Sequence, residues 1–505
     1  MFNIKIAIIT GICLASALVS YAAFRKGKSK SADDYFVAGS SLGYFVLIFS
    51  LLASFLSAFA MLGMSGMGYR LGFGSLFVLT VNLIPLGFLW YFMHRKTFLI
   101  GRSQGWMSMG APFGQRYGTT MRTIIPVIVL VASIPYLVAQ VRGIGIMINT
   151  MSDFEISYQT GLFFAPAFIA LYLILGGMKG AAWVNTVQGV FFTVMVFILF
   201  YAVMDKHGGF VDTMNEVARR HPETFQLGVK TPSGATLWSY PMIFGFSAAM
   251  CLGSVCFPQP YMHAYSSSSA KGFKVMIFVF GAICVVVISM TTMIGIAGKL
   301  FEPALTNADE IYSRTAEATL PPWGAALAVA GAFTAATTTV IGVVFGNASN
   351  IANDLYKLVK PDATARQLVM LGRICIGGIM AICIALAWNP AMPIAELAII
   401  AFGIMAVTVF PLWGAYYWKR ATRFGAVSAT LVGVGMNLGF LIYGIASGKG
   451  VKSMVLTPQD FLFNLNGFLV SFIVAGVVFF GVSLITPLGE TEKKSLKLFF
   501  HPSLD

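Results

Sequence analysis

A chain of 505 residues that is 57% hydrophobic and only 10% charged, with a mean hydropathy of +0.81, carries more apolar surface than a water-soluble fold can hide. Composition therefore excludes a string of soluble domains and points to a chain that lies almost wholly in a bilayer. The net charge of +14 does not mark a nucleic-acid partner, because the Lys and Arg residues are spread over alternate loops and form no single patch.

A hydrocarbon core about 30 Å thick takes about 20 apolar residues to cross as a helix. Thirteen segments meet that requirement, at 4–23, 42–67, 73–92, 123–148, 159–178, 183–204, 238–263, 273–298, 323–352, 368–388, 393–417, 424–446 and 462–486. The first follows Lys5 like a secretory signal but has no persuasive cleavage site, so it reads as a retained helix. Basic groups follow alternate spans: Lys26, Lys28 and Lys30, then Arg95, Lys96, Arg102 and Arg116, then Lys271 and Lys274, then Lys357, Lys360 and Arg366. Lys419, Arg420 and Arg423, then Lys493, Lys494 and Lys497, continue the series, while the opposite loops hold Asp153, Glu155, Asp309, Glu310 and Glu317. That asymmetry puts the N-terminus outside and the C-terminus in the cytoplasm. The stretch 205–237 reads as an external loop or cap. Cys13, Cys251, Cys256, Cys284, Cys375 and Cys383 all fall inside spans, so no structural disulfide is expected.

Two spans are interrupted. In the second, Gly63, Ser65, Gly66 and Gly68 follow Ser54 and Ser57; in the seventh, Gly253, Ser254, Pro258 and Pro260 crowd together. Freed backbone groups at membrane depth are costly unless they line a cavity or coordinate something, and two broken helices five spans apart suggest an inverted-repeat transporter. The competing reading is that the small residues simply allow close helix packing.

Of nineteen acidic residues, only Glu396 falls inside a predicted span. A proton-coupled carrier needs an intramembrane carboxylate or histidine, whereas a sodium ion is held by carbonyl and hydroxyl oxygens. The ninth span supplies hydroxyls in the run Ala335-Ala336-Thr337-Thr338-Thr339, although threonines in membrane helices also bond their own helix carbonyls. Arg142, a basic residue placed within a span, either pairs with a substrate carboxylate, snorkels outward or meets Glu396. His94, His207, His221 and His501 fall in loops or the tail and His263 ends a span. There is no metal-ligand spacing, phosphate-binding loop or catalytic dyad, so the chain reads as neither an enzyme nor an ATP-driven pump.

The chain resembles the sodium:solute symporter family, whose members carry proline, pantothenate, monocarboxylates, sialic acids and sugars. The resemblance rests on Asp33-Asp34-Tyr35-Phe36-Val37-Ala38-Gly39, on Ala53-Ser54-Phe55-Leu56-Ser57 with Gly63, and on Gln140. It continues through Gly176-Gly177-Met178-Lys179, Trp183, Gln188-Gly189, Gln259-Pro260, Ala335 to Thr339, and Asp354-Leu355-Tyr356. It implies an all-α polytopic membrane protein with a leucine-transporter-like core of two inverted five-helix repeats and one extra N-terminal helix. It also implies sodium held by the carbonyls of Ala53, Leu56 and Ala335 and the hydroxyls of Thr338 and Thr339. Where the proline carriers have an Asp after Ala-Ser, this chain has Phe55, and the Asp of the family's Trp-Thr-Asp pattern is Asn185, so one sodium is expected. The proline carriers' pocket aromatics fall on Leu252 and Cys256, which argues against proline. Phe59, Gln140, Leu252, Cys256 and Arg142 are the expected pocket-lining residues.

The resulting expectation is an extra helix and basic loop at 1–30, a transporter core at 31–420, two peripheral helices at 421–487 and a cytoplasmic tail at 488–505. The core performs sodium-coupled symport of a small organic solute by alternating access, leaning to a carboxylate-bearing nutrient. The protein sits as a monomer in the plasma membrane, a bacterial inner membrane, with the solute, sodium and lipid as its partners. The rival readings are a proton-coupled or uncoupled carrier, a channel, and a transporter-like sensor whose tail is too short for a kinase.

Overall fold

The computed structural model describes residues 4–26, 32–77, 84–227, 240–389, 392–446 and 467–500. Lys28, Lys30, residues 228–237 of the external stretch, the start of the last predicted span and His501 lie outside them. The described chain is helical, beginning with α1 (Ile4–Lys26), α2 (Ala32–Val37), α3 (Tyr44–Phe55) and α4 (Phe59–Leu71). Next come α5 (Leu86–Gln104), α6 (Gly110–Tyr117), α7 (Thr119–Met151), α8 (Tyr158–Asp205) and α9 (Phe210–Arg220). The second half holds α10 (Tyr240–Val255), α11 (Pro258–Ser266), α12 (Ala270–Gly298), α13 (Ile311–Thr319), α14 (Pro322–Val359) and α15 (Ala365–Ala387). The chain closes with α16 (Ile394–Tyr417), α17 (Arg423–Ala446), α18 (Gly467–Ile485) and α19 (Glu490–Phe500). Nine helices among the described residues are long and apolar enough to cross a membrane, ten if the bent pair α3–α4 is one span. Parts of the third, seventh and last predicted spans, 78–83, 238–239 and 462–466, lie outside the described residues.

Two boundaries differ from expectation for a readable reason. The third span is α5, beginning after Pro85 and running to Gln104, where Gly105 in the left-handed region (φ 65°) ends it. Arg95 and Lys96 lower the hydropathy there without breaking the helix, so His94 is fully buried against the Val255 carbonyl (2.9 Å) and lies in no loop. Likewise α14 continues through a π-helical turn at Ile351–Tyr356, which carries Asp354 into a buried position. At Gly177 the long α8 turns through φ 55°, ψ −162°, a conformation closed to other residues, with Tyr35 packed against it.

Lipid tails are as apolar as Leu, so helices in a bilayer are held by close packing and interhelical hydrogen bonds. Gly68 on α4 faces the Thr292 backbone of α12, and Gly295 on α12 faces the Ser65 backbone of α4, each with no room for a Cβ. Ser65 Oγ donates to the Thr291 carbonyl (2.8 Å) across the same seam. Gly253 on α10 meets the Phe402 carbonyl of α16 in the same way. These glycines are packing residues. The helix breaks lie elsewhere: at Leu56 (ψ 117°) through Ala58, where α3 and α4 diverge by 61°, and at Cys256–Phe257 (Phe257 ψ 161°).

Candidate functional site

Ending α3 at Phe55 strands four carbonyls that a continued helix would have bonded, a cost of several kcal/mol each in hydrocarbon unless something replaces the partner. Each finds a side chain from another helix. Ala53 O accepts from Thr338 Oγ1 (2.7 Å) and lies 3.4 Å from Thr339 Oγ1; Leu56 O lies 3.3 Å from Thr339 Oγ1. Ser54 O accepts from Gln259 Nε2 of α11 (3.2 Å), and Phe55 O from Tyr136 Oη of α7 (3.3 Å). One turn along α7, Gln140 Oε1 accepts the freed Ala58 amide at the start of α4 (2.7 Å), its own Nε2 donating to Tyr136 O (3.1 Å).

The five oxygens named from the sequence thus converge: Thr338 Oγ1 is also 3.1 Å from Ala335 O, and all five residues have no exposed surface. Thr338 additionally bonds Thr334 O (2.8 Å), so its self-helix bonding and its contact with α3 coexist. No carboxylate appears in this constellation. Asn185, in the second half of α8, is buried beside a separate cavity of about 10 Å³ with Gln259 and His263, room for little more than a water.

Between the two breaks the space is filled by rings. Phe59 lies 6.4 Å from Phe402, Phe257 4.9 Å from Phe402, and Tyr136 5.2 Å from Phe257 and 5.4 Å from Phe402. Of the expected pocket residues, Phe59 is in this cluster and Cys256 is buried at the second break. Leu252 is half-buried one turn earlier on α10. Gln140 is occupied in holding the break. Tyr136, Phe257 and Phe402 went unnamed in the sequence reading; Phe257, between Cys256 and Pro258 at the kink, carried the only local signal.

Arg142 corrects an expectation. It neither snorkels nor meets Glu396, which lies 3.8 Å from Arg70. Arg142 Nη2 instead lies 3.7 Å from Asp309 Oδ2, both side chains being buried, and Asp309 Oδ2 also accepts the Ile394 amide (3.1 Å). Nε and Nη1 of Arg142 are buried and make no hydrogen bond among the described residues. Burial pushes the Asp309 carboxyl above its ordinary range, with Arg142 and the Ile394 amide pulling the other way. Asp309 and Asp354 are therefore buried carboxylates that a count by span missed.

A membrane-embedded bundle with two interrupted helices meeting at a buried set of oxygens and a ring-filled space is the architecture of a secondary transporter. The pattern of the sodium:solute symporter family matches residues 35–433, and the chain belongs to that family: it is a multi-pass membrane protein and a sodium-coupled solute symporter. It is 24% identical to the sodium/pantothenate symporter of Escherichia coli (strain K12), covering 89% of this chain and 92% of that one. It is likewise 24% identical to the sodium/proline symporter of the same organism, covering 82% and 83%. Among solved structures, a substrate-bound outward-open sodium-coupled sialic acid symporter superposes with a TM-score of 0.75 at 16% identity, covering 97% of this chain and 99% of that one. Mhp1, a nucleobase-cation-symport-1 family transporter, does so with a TM-score of 0.53 at 11% identity, covering 91% and 97%. These likenesses establish a leucine-transporter-like fold.

Proposed function

We propose that one sodium ion per cycle binds between α3 and α14, ligated by the carbonyls of Ala53, Leu56 and Ala335 and the hydroxyls of Thr338 and Thr339. The observation that carries this reading is the stranding of the α3 carbonyls opposite two adjacent hydroxyls in an otherwise apolar helix. Hard cations take oxygen ligands, and an octahedron of radius about 2.4 Å has edges of about 3.4 Å, the scale of the Thr339 contacts. A bound ion joins α3 to α14 and fixes the break, which preorganises the space between the broken helices for solute. Asn185 is neutral where the family pattern has an Asp, so that position offers no anionic ligand for a further sodium.

The solute in this reading is a small carboxylate-bearing nutrient that displaces the rings around Phe59 and Phe402, with Phe59 and Cys256 bordering it. Support comes from the two unpartnered nitrogens of Arg142 and from the pantothenate symporter among the relatives. The core lies within 31–420, with peripheral helices at 421–487, in a bacterial inner membrane, N-terminus outside, as a monomer. The alternation of basic loops supports that orientation. A membrane potential contributes about 2.3 kcal/mol per net charge moved per 100 mV, so one sodium sustains about fifty-fold accumulation of a solute without net charge. With a singly charged carboxylate the cycle is electroneutral and the sodium concentration gradient alone drives it. Replacing Thr339 by Ala is expected to raise the sodium concentration for half-maximal uptake at least about tenfold, the equivalent of about 1.4 kcal/mol. Unchanged sodium dependence contradicts the site.

A further inference from the structure

Away from the broken helices, an open cavity of about 550 Å³ lies between α6, the start of α7, the end of α14 and the start of α17. None of its lining residues belongs to α3, α4, α10 or α11. Three cations border it, Arg122 of α7, Lys357 of α14 and Arg423 of α17, and its described lining contains no Asp or Glu. A topology signal accounts for basic residues in the loops on one side of a membrane. It does not account for three of them, from three different helices, gathered around one concavity without a carboxylate.

The local anions are already committed. Asp354 is buried behind the wall, with Oδ1 accepting from Ser108 Oγ (2.7 Å) and Arg122 Nε (3.1 Å) and Oδ2 from the Gly110 amide (2.9 Å). Arg122 spends Nη2 on the Asn353 carbonyl (3.0 Å). That leaves Nη1 with no bond to a described residue. Lys357 and Arg423 form no ion pair among the described residues. Glu492 is buried with one oxygen on the Arg423 backbone amide (2.9 Å), so the positive end of α17 is already capped. The positive end of α7 is not: its N-cap is Gly118 (φ 87°), which has no side chain to cap it, and Gly118 and Thr119 both line the cavity. Free first-turn amides at the head of a 33-residue helix attract negative charge, and here the head of that helix borders the same cavity as the three cations.

We infer that this cavity binds a phosphate-bearing anion, its charge held by Arg122, Lys357, Arg423 and the first-turn amides of α7. The volume is that of a small-molecule site. The chemistry is common to a phospholipid headgroup and a soluble phosphate ester, since both present oxygens to guanidinium and ammonium donors. The bound anion ties the end of α14, the helix that carries Thr338 and Thr339, to α7 and α17.

The test is thermal unfolding of lipid-depleted full-length protein in detergent, titrated with potassium pyrophosphate at constant potassium. The parallel arm uses short-chain phosphatidylglycerol, with phosphatidylcholine as control. A rise in midpoint with pyrophosphate assigns a soluble phosphate ester; a rise confined to phosphatidylglycerol assigns a headgroup. Either response is expected to weaken at least tenfold in the Lys357→Gln, Arg423→Gln double variant. It is expected to weaken as much in Thr119→Glu, which puts a carboxylate at the α7 amides and decides the matter alone if the double variant does not fold. No response to either probe, a response to phosphatidylcholine equal to that to phosphatidylglycerol, or a response undiminished in the folded variants overturns the proposal.

Discussion

Gln140 shows how a single side chain holds an interrupted helix open. Its Oε1 is the partner of the Ala58 amide, and Tyr136, one turn away, serves the Phe55 carbonyl. Gln140→Leu is expected to leave that amide unpaired in a dry interior and lower stability by about 1–3 kcal/mol, read as a fall in the unfolding midpoint. The Arg142–Asp309 pair is a different case, because burying two charges offsets much of their attraction. Removing either partner alone is expected to cost about 3–5 kcal/mol, whereas the Arg142→Met, Asp309→Leu pair is expected to cost far less than the sum. The pH dependence follows from burial: a carboxyl whose pKa is raised on folding contributes its full stabilisation below its unfolded value, about 3.9, and loses it as pH rises through the folded value. Asp309 is therefore expected to contribute a loss of stability as pH rises from about 4, and the double variant is expected to show a correspondingly smaller fall than the wild type. That the five proposed sodium ligands converge was legible because they sit in short motifs that carry the family resemblance. The Arg142–Asp309 contact was not, since it joins α7 to a turn between α12 and α13 and leaves no local pattern.

Among the elements, hydropathy located most of the membrane helices but misjudged where they end. A helix terminates where its backbone partners run out or a glycine turns it, as at Gly105 after α5, and not where the first Arg or Lys appears. The breaks were displaced for a related reason. Glycine in a membrane helix marks close approach at least as often as interruption, and Gly63, Gly66 and Gly68 lie within helix just past the α3–α4 break. The true break at Leu56–Ala58 contains no glycine, because other helices supply the bonds that its backbone lacks. Gly295→Val is accordingly expected to force α12 away from the Ser65 backbone and destabilise by about 1–3 kcal/mol or more, without changing sodium affinity in whatever fraction folds. Size-exclusion profiles and unfolding midpoints of the purified variant check this.

At the scale of the whole molecule, the proposed ion and solute sites address the same hinge. α3 is bonded to α14 through Thr338 and Thr339, to α11 through Gln259, and to α7 through Tyr136, so a ligand that changes any one of these bonds changes how the broken helix sits against the rest. In the proposed mechanism sodium favours the arrangement in which those oxygens face one another, since a ligand stabilises only the state it binds. The fold and the coupling ion were both readable from the chain. The solute was not, because the proposed lining by Tyr136, Phe257 and Phe402 is assembled from α7, the α10–α11 break and α16, far apart in the sequence.

The most direct measurement is thermal unfolding of the detergent-purified protein against a library of nutrients, with sodium or choline as the sole cation, for wild type and for Thr338→Ala, Thr339→Ala. The account predicts that sodium raises the wild-type midpoint and enables a further rise with one carboxylate-bearing solute, and that both effects vanish in the variant. A solute response equal in choline, or a sodium response retained in the variant, contradicts the proposed coupling site.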